Sequence, residues 1–145
     1  MKSLSKLLLL LMTAGFLASC EKQEYFKSES DIKKELSYSW NQILMTHDTT
    51  LIDKYYVWTF KDDQLTVIIK KASNNTTMDT LIGNYSVRTS LTKVFLTTYN
   101  FPEGEAWYWM NSEWTDVALD NRGLVVAAED PRAGGVKILE FSRID

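Results

Sequence analysis

The side chains that do most nucleophilic, acid-base and metal chemistry near neutral pH are scarce here. Across 145 residues there is one histidine, His47, and one cysteine, Cys20. A Ser-His-Asp relay would have to run through His47. That residue sits in the polar stretch 46–50, and no Gly-x-Ser-x-Gly elbow occurs to present a nucleophile. A single His and a single Cys cannot build a thiolate- or imidazole-rich zinc site. The six glycines are scattered, and Gly134-Gly135 ends a turn rather than opening a helix, so no phosphate-cradling loop is present. Carboxylates gather loosely at Glu103, Glu105, Glu113, Asp116 and Asp120. Two of them flanking a cleft could cleave a glycosidic bond, and several oxygens could hold calcium. Neither chemistry finds its spacing, and no Asp-x-Asp-x-Asp-Gly loop exists, so these residues read as solvated loop charge. The expectation is a protein that is not an enzyme and has no cofactor or metal.

Aromatic residues are the more informative group. Trp107-Tyr108-Trp109-Met110 follows Phe101-Pro102-Glu103-Gly104 inside an insert at 100–111. In one reading Trp107 and Trp109 plug a core. In the other the insert is a lid or contact patch, because Trp and Tyr provide contact area at low entropic cost. Strand alternation would place Trp107 and Trp109 on one face and Tyr108 and Met110 on the other.

The N-terminus reads as a targeting segment. Lys2 and Lys6 precede an apolar run from Leu7 to Leu17 that is too short for a membrane-spanning helix. It ends in Leu17-Ala18-Ser19-Cys20, which resembles the lipobox of bacterial lipoproteins. The resemblance implies a signal peptide over 1–19, cleavage before Cys20, and acylation of that residue by fatty acids such as palmitate. Partition of several acyl chains makes such an anchor effectively permanent. Residues 20–30 then form the lipidated cysteine and a polar tether, and 31–145 the folded domain. Glu21-Lys22-Gln23-Glu24 looks somewhat like the signal that sends some lipoproteins to the cell surface; a solvated spacer is the alternative. The implied address is the outer membrane, on its periplasmic or cell-surface face. Asp48-Thr49-Thr50 and Asp79-Thr80-Leu81 resemble short acceptor motifs for O-glycans in the same kind of bacterium.

The domain must then supply the elements that position these residues. With 16 Lys+Arg against 19 Asp+Glu and a net charge of -3, the whole chain has no electrostatic footprint for nucleic acid. Ser28-Glu29-Ser30-Asp31 before Ile32 and Leu36 predicts one short capped helix. Eight strands follow, at 38–45, 55–60, 65–70, 78–88, 91–99, 114–119, 124–128 and 136–143, with polar turns between them. Gly83 reads as a bulge or sharp bend within its strand. With no βαβ alternation the class is all-β: an eight-stranded antiparallel up-and-down barrel with a short N-terminal helix. A β-sandwich is the rival arrangement.

The anchor residues, taken together, resemble the small lipocalin-like lipoproteins of Bacteroidetes. Leu36 and Trp40, Trp58-Thr59-Phe60 before an acidic turn and Leu65, and Gly83-Asn84-Tyr85-Ser86-Val87 carry the likeness. It continues through Trp114, Val117, Leu119 and Leu124 to Leu139-Glu140-Phe141-Ser142-Arg143. Ser39 stands where that family usually has Gly, and the 100–111 insert is unusual for it. The resemblance implies a non-enzymatic lipocalin-like β-barrel that holds a small apolar or amphipathic ligand. Trp58, Tyr85, Trp107 and Trp109 are the side chains placed to line such a site. The alternative is a protein-interaction or inhibitor module with a filled barrel, meeting another envelope protein through its loops. The inward set Trp58, Phe60, Leu65, Val67, Tyr85 and Val87 is bulky, which argues for little or no internal cavity.

Overall fold

The computed structural model describes residues 27–45, 53–104, 106–132 and 134–144. His47, the 48–50 motif, Cys20, the signal segment, most of the tether and Glu105 lie outside these residues.

Helix α1 (Glu29–Leu36) opens with a complete capping box. The Ser28 hydroxyl accepts from Asp31 N–H, and the Asp31 carboxylate accepts from Ser28 N–H. The Ser28 hydroxyl also donates to that carboxylate at 2.7 Å, and this hydrogen bond, followed by the one from Ser28 N–H, holds the Asp31 carboxyl below the usual carboxylate range. Ile32 and Leu36, at helical spacing, are the two residues the helix buries. The Trp40 indole N–H donates to Leu36 O at 3.0 Å and fixes the helix against the first strand.

Nine strands follow: β1 (Ser39–Met45), β2 (Lys54–Lys61), β3 (Gln64–Lys71), β4 (Thr77–Thr89), β5 (Val94–Tyr99), β6 (Ser112–Trp114), β7 (Asp116–Leu119), β8 (Gly123–Glu129) and β9 (Val136–Ile144). All pairs are antiparallel, in the order β6-β5-β4-β3-β2-β1-β9-β8-β7, with β1 and β9 joined between Ser39↔Ile144 and Met45↔Leu139. The result is a nearly closed up-and-down barrel. The expected count of eight becomes nine because the segment 114–119 kinks at Thr115. Its first part pairs with β5 (Leu96↔Trp114) and its second with β8 (Asp116↔Ala127). One bent segment thus closes the barrel by serving a different neighbour above and below the bend.

Side-chain alternation is strict where strands are half-buried. Leu65, Val67 and Ile69 face inward from β3, Leu124, Val126 and Ala128 from β8, and Leu139 and Phe141 from β9. The turn between β2 and β3 is a two-residue loop with both Asp62 and Asp63 at positive φ (48° and 62°), the geometry that matches strand twist. Lys33 from α1 pairs with Asp63, and that hydrogen bond raises the Lys33 pKa.

Helix α1 and the turns at 62–63, 90–93 and 120–122 lie at one end of the barrel. The turns at 72–76 and 130–135 lie at the other, and the 100–111 insert runs towards them, from Asn100 bonded to Asn84 near the 62–63 turn to Trp107 and Tyr108 against Tyr56 and Asp130.

Gly83 is neither bulge nor bend. It faces the interior, and a Cβ there would lie 2.4 Å from Cε2 of Phe101. The glycine is a socket for the ring that anchors the start of the insert. Gly83→Ala is therefore expected to cost about 1–3 kcal/mol by overpacking, read by urea denaturation, and pairing it with Phe101→Leu should recover most of the loss. A Gly83→Ala protein as stable as the parent would show that the ring has room to move.

Candidate functional site

The barrel interior is an aromatic stack built around Trp58, which is fully buried. Its ring lies 4.9 Å from Phe141, 6.1 Å from Trp114 and 6.0 Å from Phe60. From the insert, Trp109 lies nearly parallel to it at 6.5 Å and meets Tyr56 edge-on at 5.6 Å. Tyr85 packs edge-on against Phe60 at 4.9 Å, and burial pushes its phenol pKa up. Trp107 is half-buried above Tyr56, with Lys54 Nζ 5.6 Å from its ring. Trp58, Tyr85, Trp107 and Trp109 thus form part of one continuous packing cluster, with Leu, Val and Ile side chains around them. The interior is filled by its own residues.

The insert does not alternate as a strand. Tyr108–Met110 is a single 3-10 turn, and it buries Trp109 and Met110 while Trp107 and Tyr108 remain half-exposed. The predicted face shared by Trp107 and Trp109 is replaced by adjacent residues pointing inward, because a 3-10 turn advances three residues per revolution. Asn111 ties the loop base. Its side chain accepts from Phe101 N–H at 2.9 Å and donates to Phe101 O at 3.1 Å. Thr98 donates to Met110 O and accepts from the Trp114 indole N–H. The insert is a plug.

Beneath the plug lies a buried ion pair. Lys137 Nζ and Asp130 Oδ2 are 3.2 Å apart, with side chains 7% and 1% exposed. Tyr108 donates to the carboxylate (3.0 and 3.1 Å), and Arg132 N–H adds a third donor at 3.0 Å. The rings of Tyr108 and Trp109 cover the ammonium at 5.3 and 5.2 Å, and the Arg132 guanidinium stacks on Tyr108 at 4.1 Å. With donors on both oxygens and aromatic faces over the cation, the pair is satisfied. It is a latch between plug and barrel.

A cleft lies at the seam. β6 leaves β5 after the Leu96↔Trp114 pair, so the first residues of β5 have no ladder partner on that side, and β7 is the last strand of the sheet. The splay opens a cleft of about 870 Å³ at the α1 end, within the range of small-molecule sites. Its lining includes Val94, Val117, Ala118, Val125, Ala127 and Ile138, together with Lys27 and Lys93. A second recess of about 380 Å³ lies by α1 and is polar, with Asp31, Lys34, Asp120 and Arg143 among its residues.

The carboxylate cluster is dispersed. Glu113 pairs with Arg88, Asp116 with Lys93, and Asp120 accepts from the N–H groups of Arg122 and Gly123 in its own turn. Those backbone hydrogen bonds lower the Asp120 pKa. Among the described residues no group of three His, Cys, Asp or Glu side chains is placed to hold a metal ion. In the 79–81 motif Thr80 is exposed on β4 and Leu81 is buried. No helix among the described residues is long and apolar enough to cross a membrane.

Sequence reasoning missed two features. Lys137 shares the inward parity of Leu139 and Phe141, which signals a buried charge. The seam cleft depends on the bend at Thr115, for which no local residue pattern gives warning. Among the described residues, the fold and site define a nearly closed antiparallel β-barrel, plugged by its own aromatics, with a cleft along a side seam. No protein-family model, no curated protein and no solved structure matches the chain.

Proposed function

We propose that this chain is a non-enzymatic, lipid-anchored lipoprotein of the cell envelope, held at the outer membrane by acyl groups on Cys20. In this reading its lipocalin-like barrel binds a small apolar or amphipathic ligand in the seam cleft rather than along the barrel axis. One observation carries the reading: large aromatic and aliphatic side chains occupy the barrel interior while apolar residues line an 870 Å³ cleft on the side. Mass spectrometry of the mature chain extracted under native conditions tests it. A defined apolar species should copurify and should be lost in Ala127→Trp, which fills the cleft. Cys20→Ala should keep the ligand and leave the membrane. A parent protein carrying no such species, or one retained in Ala127→Trp, would overturn this reading.

The second reading is an interaction or inhibitor module acting on another envelope protein. The filled interior favours it, together with the exposed β7 edge. Stoichiometric copurification of a protein, in place of a small molecule, would select it.

A further inference from the structure

We propose that the seam cleft receives one acyl chain of a bilayer phospholipid, so that the barrel rests on the membrane through its α1 end. This rests on acylation of Cys20. Lys27 lines the cleft, and Cys20 lies seven residues before it. Seven residues span at most about 25 Å when fully extended. A lipid on Cys20 therefore keeps the cleft mouth close to the headgroups, whatever path the tether takes.

Two more observations point to the same partner. Leu91, at the tip of the β4–β5 turn, is 78% exposed and lies on the cleft lining. It shares this end of the barrel with α1, whose Glu29 carboxylate accepts from Thr89 N–H. An exposed leucine on a turn tip beside a membrane anchor is placed to enter the interfacial layer. Of the charged side chains on the cleft lining, Lys27 pairs with Glu35 and Lys93 with Asp116. The lining thus carries both signs of charge, which suits a zwitterionic headgroup, together with nine aliphatic side chains. A peptide strand fits less well, because β7 offers only the four residues Asp116–Leu119 before the bend ends the edge.

The test uses the full mature chain, its acyl mass verified, in phosphatidylcholine vesicles. With Cys20 acylated, Ala118→Cys supplies the one free thiol for a fluorophore in the cleft. Leu91→Cys is a second site that leaves the strands untouched, and Asn74→Cys marks the far end of the barrel. Phospholipid spin-labelled on its acyl chain should quench the label at 118 several-fold more than the label at 74, and Ala127→Trp should remove that difference. The label at 91 should be quenched as well. Quenching at 118 only by headgroup-labelled lipid would overturn the proposal. So would an acylated protein whose label at 118 is shielded from water yet unquenched, because a peptide or the protein's own acyl chain would then fill the cleft. A chain found without acyl mass and free of vesicles would defeat the Cys20 reading itself, and this proposal with it.

Discussion

Asp130→Ala is expected to destabilise the fold by about 3–5 kcal/mol, among the largest single losses in the molecule. The substitution removes the carboxylate paired with the Lys137 ammonium, whose side chain is 7% exposed, and breaking a buried pair costs that much. It also removes the acceptor for Tyr108 and Arg132, so the plug loses its latch. The pair itself is worth far less than its breakage suggests. Asp130→Leu with Lys137→Met, close in volume and fully apolar, should recover most of the stability, since isosteric replacement of buried pairs is often neutral. Urea denaturation of the single and double variants decides it. A double variant as unstable as Asp130→Ala would show that the turn needs the carboxylate for its backbone hydrogen bond more than for the charge.

Trp109→Ala should cost a comparable 3–5 kcal/mol, because its ring fills the space between Trp58 and Tyr56. Trp107→Ala should cost clearly less, its ring being half in solvent. Tyr108→Phe, which keeps the ring and removes the one hydroxyl donor shared between the two carboxylate oxygens, should lose about 1.5–3 kcal/mol. This ranking differs from what strand alternation predicts, namely large effects at both tryptophans and a mild one at the tyrosine. Equal losses at 107 and 109 would favour the strand. Equal, small losses in all three would mean that the insert is a contact surface and not a plug.

Much of the barrel was legible because a strand writes its burial in every second residue. Leu65, Val67 and Ile69 or Leu124, Val126 and Ala128 state their own orientation, and a Ser-x-x-Asp cap announces the helix. Packing against a partner distant in sequence leaves no such trace. Gly83 has the look of a bend, but its neighbour is Phe101, and only the folded chain brings that ring to 2.4 Å of the missing Cβ. The bend at Thr115 is equally silent. Both flanks are β-forming, and the change of partner from β5 to β8 is a decision of closure, not of propensity. The aromatic insert was visible as important and misread in period, since Trp-Tyr-Trp-Met suits an alternating strand as readily as a short 3-10 turn.

The pairing of β1 with β9 has a kinetic corollary. Ser39 meets Ile144 across almost the whole described domain, so the ladder that completes the cylinder joins the first strand to the last. Every hairpin before it can zip locally, but β1 and β8 each keep one flank bare until the C-terminal strand arrives. Such non-local closure places the molecule among slow, topology-limited folders. Chains cut short before residue 136 would persist as sticky open sheets, prone to pair with one another before they could ever curl shut.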